Sequence, residues 1–209
     1  MMRRTGVLGG SFNPAHRGHR GITLAAIRAL ALDEAWWLVS PGNPLKSGAK
    51  DMAPLAMRLA SARAMARRAP IRATDIEARM KTRYTVDTIR ALQRRYPKRR
   101  FIWLMGSDNL AQFHRWRDWR RIARTIPIAV IARPGYEGAA HAAPAMGWLR
   151  RFQRPADQAK SWTTWRLPAL VLLRFRPDPT SATAVRAADP DWTRQFRHPV
   201  APTRHPIQE

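Results

Sequence analysis

Gly9-Gly10-Ser11-Phe12-Asn13-Pro14-Ala15-His16-Arg17-Gly18-His19 follows directly on the apolar run Thr5 to Leu8 and leads into the alanine- and leucine-rich stretch Arg17 to Ala31. The run reads as a first strand entering a tight turn. Ile22, Ala26 and Ala29 recur at helical spacing, so the stretch after Pro14 reads as a helix. Gly9 and Gly10 let a backbone turn present N–H groups to an anion with no Cβ in the way. The next helix turns its positive N-terminus toward the same point. His16 and His19, three apart, share a face there and suit contacts to a triphosphate, in either charge state. Each half has a plainer reading. The Gly-Gly turn can be only a turn, and His-x-x-His a fragment of a metal site, although no third ligand stands nearby. The dinucleotide fingerprint G-x-G-x-x-G is absent, and Lys46-Ser47 lacks the glycine that precedes a Walker lysine.

The alternation continues outward. Ala35 to Val39 reads as a second strand, closed by the loop Ser40-Pro41-Gly42-Asn43-Pro44. Met52 to Arg68 reads as a helix with Pro54 in its first turn, Ile71 to Thr74 as a short strand, and Thr85 to Arg95 as a helix ended by Pro97. Phe101 to Met105 is an apolar strand running into Gly106-Ser107-Asp108. Arg115 to Ile122 reads as a tryptophan-rich helix, and Ile126 to Ala132 as a strand before the turn Arg133-Pro134-Gly135. Ala169 to Leu173 has strand length. Strands alternating with helices predict an α/β fold, a parallel sheet covered on both faces. The strand ends after Leu8, Val39 and Met105 should project toward one crevice. The pattern weakens from Gly138 to Ser161, which reads as an insertion with a helical piece at Met146 to Phe152. One domain is expected over residues 1–189, then an irregular tail over 190–209, rich in Pro, Arg and His.

At 209 residues, with 45% hydrophobic and 25% charged residues, the composition is that of a soluble globular protein. No apolar run approaches the roughly 18–20 residues that span a bilayer. Met1-Met2-Arg3-Arg4 imitates the tip of a signal peptide, but the run after Arg4 is too short and glycine-rich for its hydrophobic region. The absence of cysteine excludes disulfides, cysteine zinc sites and thiol catalysis. A cytoplasmic location is the simplest expectation. The net charge of +24 would attract any polyanion, including nucleic acid. Only Lys46, Lys50, Lys81, Lys98 and Lys160 are lysines, and the arginines are dispersed along the chain. That dispersal favours solvated faces over a nucleic-acid interface.

Taken together, Gly9 to His19 resembles the G-G-[ST]-F-[DN]-P-x-H-x-G-H signature of the HxGH nucleotidylyltransferase superfamily, with Asn13 in place of the commoner aspartate. Within it the chain looks like the bacterial nicotinate-nucleotide adenylyltransferases, from about Thr5 to Arg186. Ser181-Ala182-Thr183-Ala184-Val185-Arg186 is similar to the family's [ST]-[ST]-x-[IV]-R motif. Read alone, it is a helix N-terminus capped by Ser181, with hydroxyls and an arginine suited to a phosphate. The resemblance implies a Rossmann-like sheet and an ATP site formed by Gly9, Gly10, Ser11, Phe12, Gly106, Asp108, Ser181 and Thr183. His16, His19 and Arg186 are the implied catalytic residues, with Asp108 reaching ribose hydroxyls. Lys46, Tyr84, Thr85, Trp116 and Arg133 match acceptor-binding positions. Trp116 can equally form an ordinary buried helical face with Trp119.

The reaction implied is ATP plus nicotinate mononucleotide giving deamido-NAD and pyrophosphate, in NAD biosynthesis. Mg²⁺ is expected on the ATP phosphates, with no protein-built metal cage. Neither a nucleic-acid nor a membrane partner is expected. The alternatives are another adenylyl- or cytidylyltransferase of the superfamily, such as the pantetheine-phosphate enzyme, or a basic nucleic-acid-binding protein. The chain departs from the family after Arg186: Ala188-Asp189-Pro190-Asp191 interrupts where a further helix is usual.

Overall fold

The computed structural model describes residues 2–42, 51–132, 138, 141–175, 178 and 180–196. Lys46, Arg133 and most of the expected irregular tail lie outside these residues. Seven strands form one parallel sheet: β1 (Arg3–Gly10), β2 (Glu34–Val39), β3 (Ile71–Thr74), β4 (Arg99–Gly106), β5 (Ile128–Ala132), β6 (Gln153–Arg154) and β7 (Leu170–Arg174). Their order is β3-β2-β1-β4-β5-β7-β6. The chain moves outward from β1 to β3, then returns to place β4 against the other edge of β1. The direction of travel therefore reverses between β1 and β4, and a crevice opens beyond their carboxyl ends.

Eight helices among the described residues cover both faces: α1 (Arg17–Leu30), α2 (Leu55–Ala66), α3 (Ile76–Arg79), α4 (Thr85–Arg95), α5 (Ser107–Gln112), α6 (Trp119–Thr125), α7 (Met146–Leu149) and α8 (Ala182–Ala188). Strand side chains alternate between two cores. Val7, Trp36 and Trp103 pack with Ile89, Leu92 and Leu110 of α4 and α5. Leu8, Trp37 and Leu104 pack with Ile22, Ala26 and Leu59 of α1 and α2. This two-sided burial explains why β2 reads as an unbroken apolar run after Glu34. Each fully buried Leu or Val there contributes roughly 1.5–3 kcal/mol.

Glu34 lies at the amino end of the sheet. It is buried against Arg99 and accepts Arg72 Nε at 2.7 Å, and Arg99 also lies over the Trp36 ring. This ion cluster ties strands together at the end remote from the crevice.

Several boundaries differ from the sequence expectation. Pro54 caps α2 from outside with an extended ψ of 144°, so the helix starts at Leu55. The stretch from Arg115 to Ile122 is not one helix. A 3₁₀ turn ends at Arg115, Trp116 is extended, and Asp118 is left-handed at φ 51° before α6 begins. The region expected as an insertion contains β6 and a 3₁₀ run, Ala156–Thr164, whose buried Trp162 donates Nε1–H to the Leu30 carbonyl at 3.0 Å. Beyond α8, Trp192 is buried and stacks edge-on with Phe196. No helix among the described residues is long and apolar enough to cross a membrane.

Candidate active site

The turn after β1 is held from several sides. A Cβ on Gly9 would stand 3.0 Å from Trp103 Cη2, so a larger residue there would press on the Trp103 ring. Phe12 takes a left-handed φ of 48°, which costs about 1–2 kcal/mol for a side chain of its size. Its ring is fully buried, stacked on Trp37 at 5.0 Å and against His19 at 4.9 Å, and this packing offsets the strain. Asn13 donates Nδ2–H to the Asp51 carbonyl at 2.9 Å and accepts the Ala53 N–H at 3.1 Å. An aspartate could make only the second bond, so the amide ties this turn to the segment before α2 more completely.

His16 and His19 do share a face, with ring centroids 3.8 Å apart. His19 Nδ1 accepts the main-chain N–H of His16 at 3.3 Å. That bond leaves the proton of a neutral His19 ring on Nε2, so the ring keeps a donor there without being charged. Thr23 Oγ1 donates to the His19 carbonyl at 2.7 Å and accepts Trp37 Nε1–H at 2.9 Å, anchoring the first turn of α1 to β2.

The distant serine–arginine motif reaches the same turn. Arg186 Nη1 donates to the Asn13 carbonyl at 2.6 Å, and Nη2 lies 3.1 Å from Asp51 Oδ2. Ser181 caps α8, its Oγ accepting the Ala184 N–H at 3.1 Å, while Thr183 is exposed. A Cβ on Gly18 would stand 2.8 Å from the Thr180 carbonyl oxygen, so that glycine admits the segment entering α8. Asp178 is an addition that the sequence expectation missed. The Thr180 hydroxyl and N–H bond its carboxylate and hold its pKa below the ordinary range, with Arg17 and His16 adding to the effect.

Beyond β1 and β4 lies a cavity of about 340 Å³, lined by Gly9, Gly10 and Ser11, by Ser40 after β2, and by Asn109 of α5. The three expected strand ends thus converge. The lining also includes Tyr84 and Thr85 at the start of α4, together with Trp103, Trp116 and Glu77. Trp116 meets Trp103 edge-on at 6.3 Å, whereas Trp119 packs against Trp148. Both also meet Phe113, at 5.3 and 5.8 Å, so they share a core neighbour although Trp116 is extended and α6 starts only at Trp119. Gly106 ends β4, and Asp108 sits in the first turn of α5.

Two buried charges were not singled out from sequence. Arg58 of α2 is buried, and desolvation lowers its pKa. Its guanidinium donates to the carbonyls of Ser11 and Ser40, both at 2.7 Å, and of Ala53 at 2.8 Å, clamping three loops of the site. Glu77 accepts from Thr88 Oγ1 at 3.0 Å, yet burial outweighs that bond and pushes its pKa up to about 7. Among the described residues no group of three His, Cys, Asp or Glu could hold a metal ion.

Residues 7–188 match the cytidylyltransferase-like family. A protein of Erythrobacter litoralis named "Probable nicotinate-nucleotide adenylyltransferase" is 63% identical over 194 residues, covering 93% of this chain and 88% of that protein. One of the same name from Parvibaculum lavamentivorans is 51% identical over 183 residues, covering 88% and 90%. The structure of a Plasmodium falciparum nicotinic acid mononucleotide adenylyltransferase complexed with NaAD shares the fold, with a TM-score of 0.63 at 15% identity over 88% of this chain and 83% of that one.

Proposed function

The chain belongs to the cytidylyltransferase-like family, and from that premise we propose that it transfers an adenylyl group from ATP to nicotinate mononucleotide, a step of NAD biosynthesis. The observation that carries this reading is the junction of Arg186 with the turn that bears His16 and His19, beside an aromatic cavity at the sheet's switch point. A phosphate oxygen of the acceptor attacks the α-phosphorus of ATP. The new P–O bond forms as the bond to the β-phosphate breaks, and pyrophosphate leaves with that electron pair. The attacking oxygen is already ionised, so no side chain has to remove a proton. The protein's work is in-line placement and charge stabilisation.

His16 and His19 support the α/β region of ATP, His19 through Nε2–H, and Arg186, Ser181 and Thr183 hold the departing pyrophosphate. Gly9, Gly10, Ser11 and Phe12 form the phosphate turn, and Gly106 and Asp108 adjoin the nucleoside. Trp116, Tyr84 and Thr85 receive the pyridine ring, with Lys46 and Arg133 assigned to the same site by motif. Mg²⁺ fits as a cation carried by phosphate oxygens and water, because the donor set here offers hydroxyls, imidazoles and guanidinium in place of a carboxylate cage. The reaction is assigned to the cytoplasm.

Pyrophosphate release should be measured with ATP and, in turn, nicotinate mononucleotide, nicotinamide mononucleotide and phosphopantetheine. Release with a pyridine mononucleotide supports the reading. Release with phosphopantetheine alone would move the chain to another branch of the superfamily.

A further inference from the structure

Arg58 of α2 is only 1% exposed, yet it forms no ion pair among the described residues. A buried cation without a carboxylate is costly unless its N–H groups are well bonded. Nε–H donates to the Ala53 carbonyl at 2.8 Å, and Nη1 to those of Ser11 and Ser40, both at 2.7 Å. An apolar side chain of similar length would fill the same space without that cost. What the guanidinium adds is a set of donors fixed in one plane.

The carbonyls it holds belong to the site. Ser11 follows β1 and Ser40 follows β2, and both line the cavity. Ala53 donates its N–H to Asn13 Oδ1 at 3.1 Å, which brings the third segment to the same turn. Arg186 takes the Asn13 carbonyl, so guanidinium groups from α2 and α8 hold alternate carbonyls of Ser11-Phe12-Asn13. The Ser11 carbonyl and the Phe12 N–H are opposite ends of one planar trans peptide. Holding the first therefore aims the second away from Arg58. No acceptor among the described residues takes that N–H. The turn thus keeps a fixed and unspent donor.

Resting on the proposed reaction, we infer that Arg58 is a positioning residue for adenylyl transfer, which acts through the Ser11 and Ser40 carbonyls to fix the phosphate turn and present the Phe12 N–H to a phosphate oxygen of ATP. Arg58 is not part of the cavity lining, so its influence passes through the main chain. A donor set in place before ATP arrives needs no reorientation in the transition state.

The test compares the wild type with Arg58→Met, Arg58→Lys and Glu34→Gln in turnover of ATP and nicotinate mononucleotide and in thermal unfolding. Arg58→Met keeps an apolar stem and removes every donor. Its kcat should fall about 100-fold, the scale of a misplacement near 1 Å. Arg58→Lys should recover about tenfold of that, since one ammonium replaces part of the fork. Glu34→Gln breaks buried ion pairs at the far end of the sheet, so it should unfold at lower temperature with kcat within about twofold of wild type. A second readout follows the Phe12 amide in protein labelled with ¹⁵N-phenylalanine, which holds six such residues. Its proton should move downfield when ATP binds the wild type, and Arg58→Met should lose that shift. A folded Arg58→Met with wild-type kcat overturns the inference, as does a Phe12 amide that ignores ATP in the wild type. So does a Glu34→Gln whose kcat falls as far as that of Arg58→Met, because loss of stability alone then explains both. Should Arg58→Met fail to fold, Arg58→Lys decides: a kcat reduced about tenfold supports the inference, and an unchanged kcat overturns it. A wild type that shows the amide shift but releases no pyrophosphate with nicotinate mononucleotide contradicts the proposed function instead.

Discussion

Arg186 Nη1 bonds the main-chain carbonyl of Asn13 at 2.6 Å, although 173 residues separate them. The bond couples the closing motif to the phosphate turn through an atom that no substitution of Asn13 removes. Only the guanidinium can be withdrawn by mutation. Arg186→Ala should lower kcat about 100-fold or more, because it takes a fixed cation from the leaving group and loosens the turn. Arg186→Lys should recover part of this, since charge returns without the fork. Asp51→Asn should cost far less, because Asp51 is 61% exposed and an ion pair there is worth about 0–1 kcal/mol. Equal losses in Arg186→Ala and Asp51→Asn would contradict the role given to Arg186.

Gly18 makes a prediction opposite to helix propensity. Alanine is the better helix former, although at Gly18, in the first turn of α1, the gain is smaller than the roughly 1 kcal/mol of a helix interior. Here its Cβ would meet the Thr180 carbonyl oxygen at 2.8 Å and the His16 ring at 3.0 Å. Overpacking costs about 1–3 kcal/mol, so Gly18→Ala should be net destabilised by on the order of 1 kcal/mol. Turnover should fall more than tenfold, because the groups displaced are His16 and the approach to Ser181. Urea unfolding and steady-state turnover check both halves.

Glu77 gives a pH dependence with a definite direction. Burial raises its pKa from 4.5 to about 7, so between those values the folded chain keeps a proton that the unfolded chain has released. The stability it contributes is full below pH 4.5 and is lost as pH rises through 7. Glu77→Gln removes this dependence. Urea unfolding at about pH 5 and about pH 8 should show the wild type losing on the order of 2 kcal/mol relative to Glu77→Gln. A constant difference between the two proteins would show that Glu77 titrates normally.

The strand-to-helix turn was legible because Gly9-Gly10 and the apolar period on either side are local signals, and so was the convergence of the three strand ends. Ser181 was legible as a cap, and it is one. What escaped depends on partners far along the chain. Arg58 looks like any helix arginine until Ser11 and Ser40 are brought to its guanidinium. Arg117 stands over the Tyr84 ring only because the fold brings the segment after α5 to the start of α4. Trp116 and Trp119 have helical spacing, but the left-handed Asp118 turns the chain between them, so both rest on Phe113 while of the two only Trp116 lines the cavity. The run Ala156–Thr164 escaped because a 3₁₀ helix has a period of about three residues, not 3.6.

The His16–His19 turn is the place assigned to adenylyl transfer, and everything else in the proposed reaction depends on it. The most direct measurement is turnover of ATP and nicotinate mononucleotide by His19→Ala, with its thermal unfolding recorded alongside. The expected result is a folded protein, shifted by no more than a few degrees, whose kcat falls about 100- to 1000-fold, the scale of losing one preorganised donor. A folded His19→Ala that forms the dinucleotide and pyrophosphate at the wild-type rate would contradict the assignment.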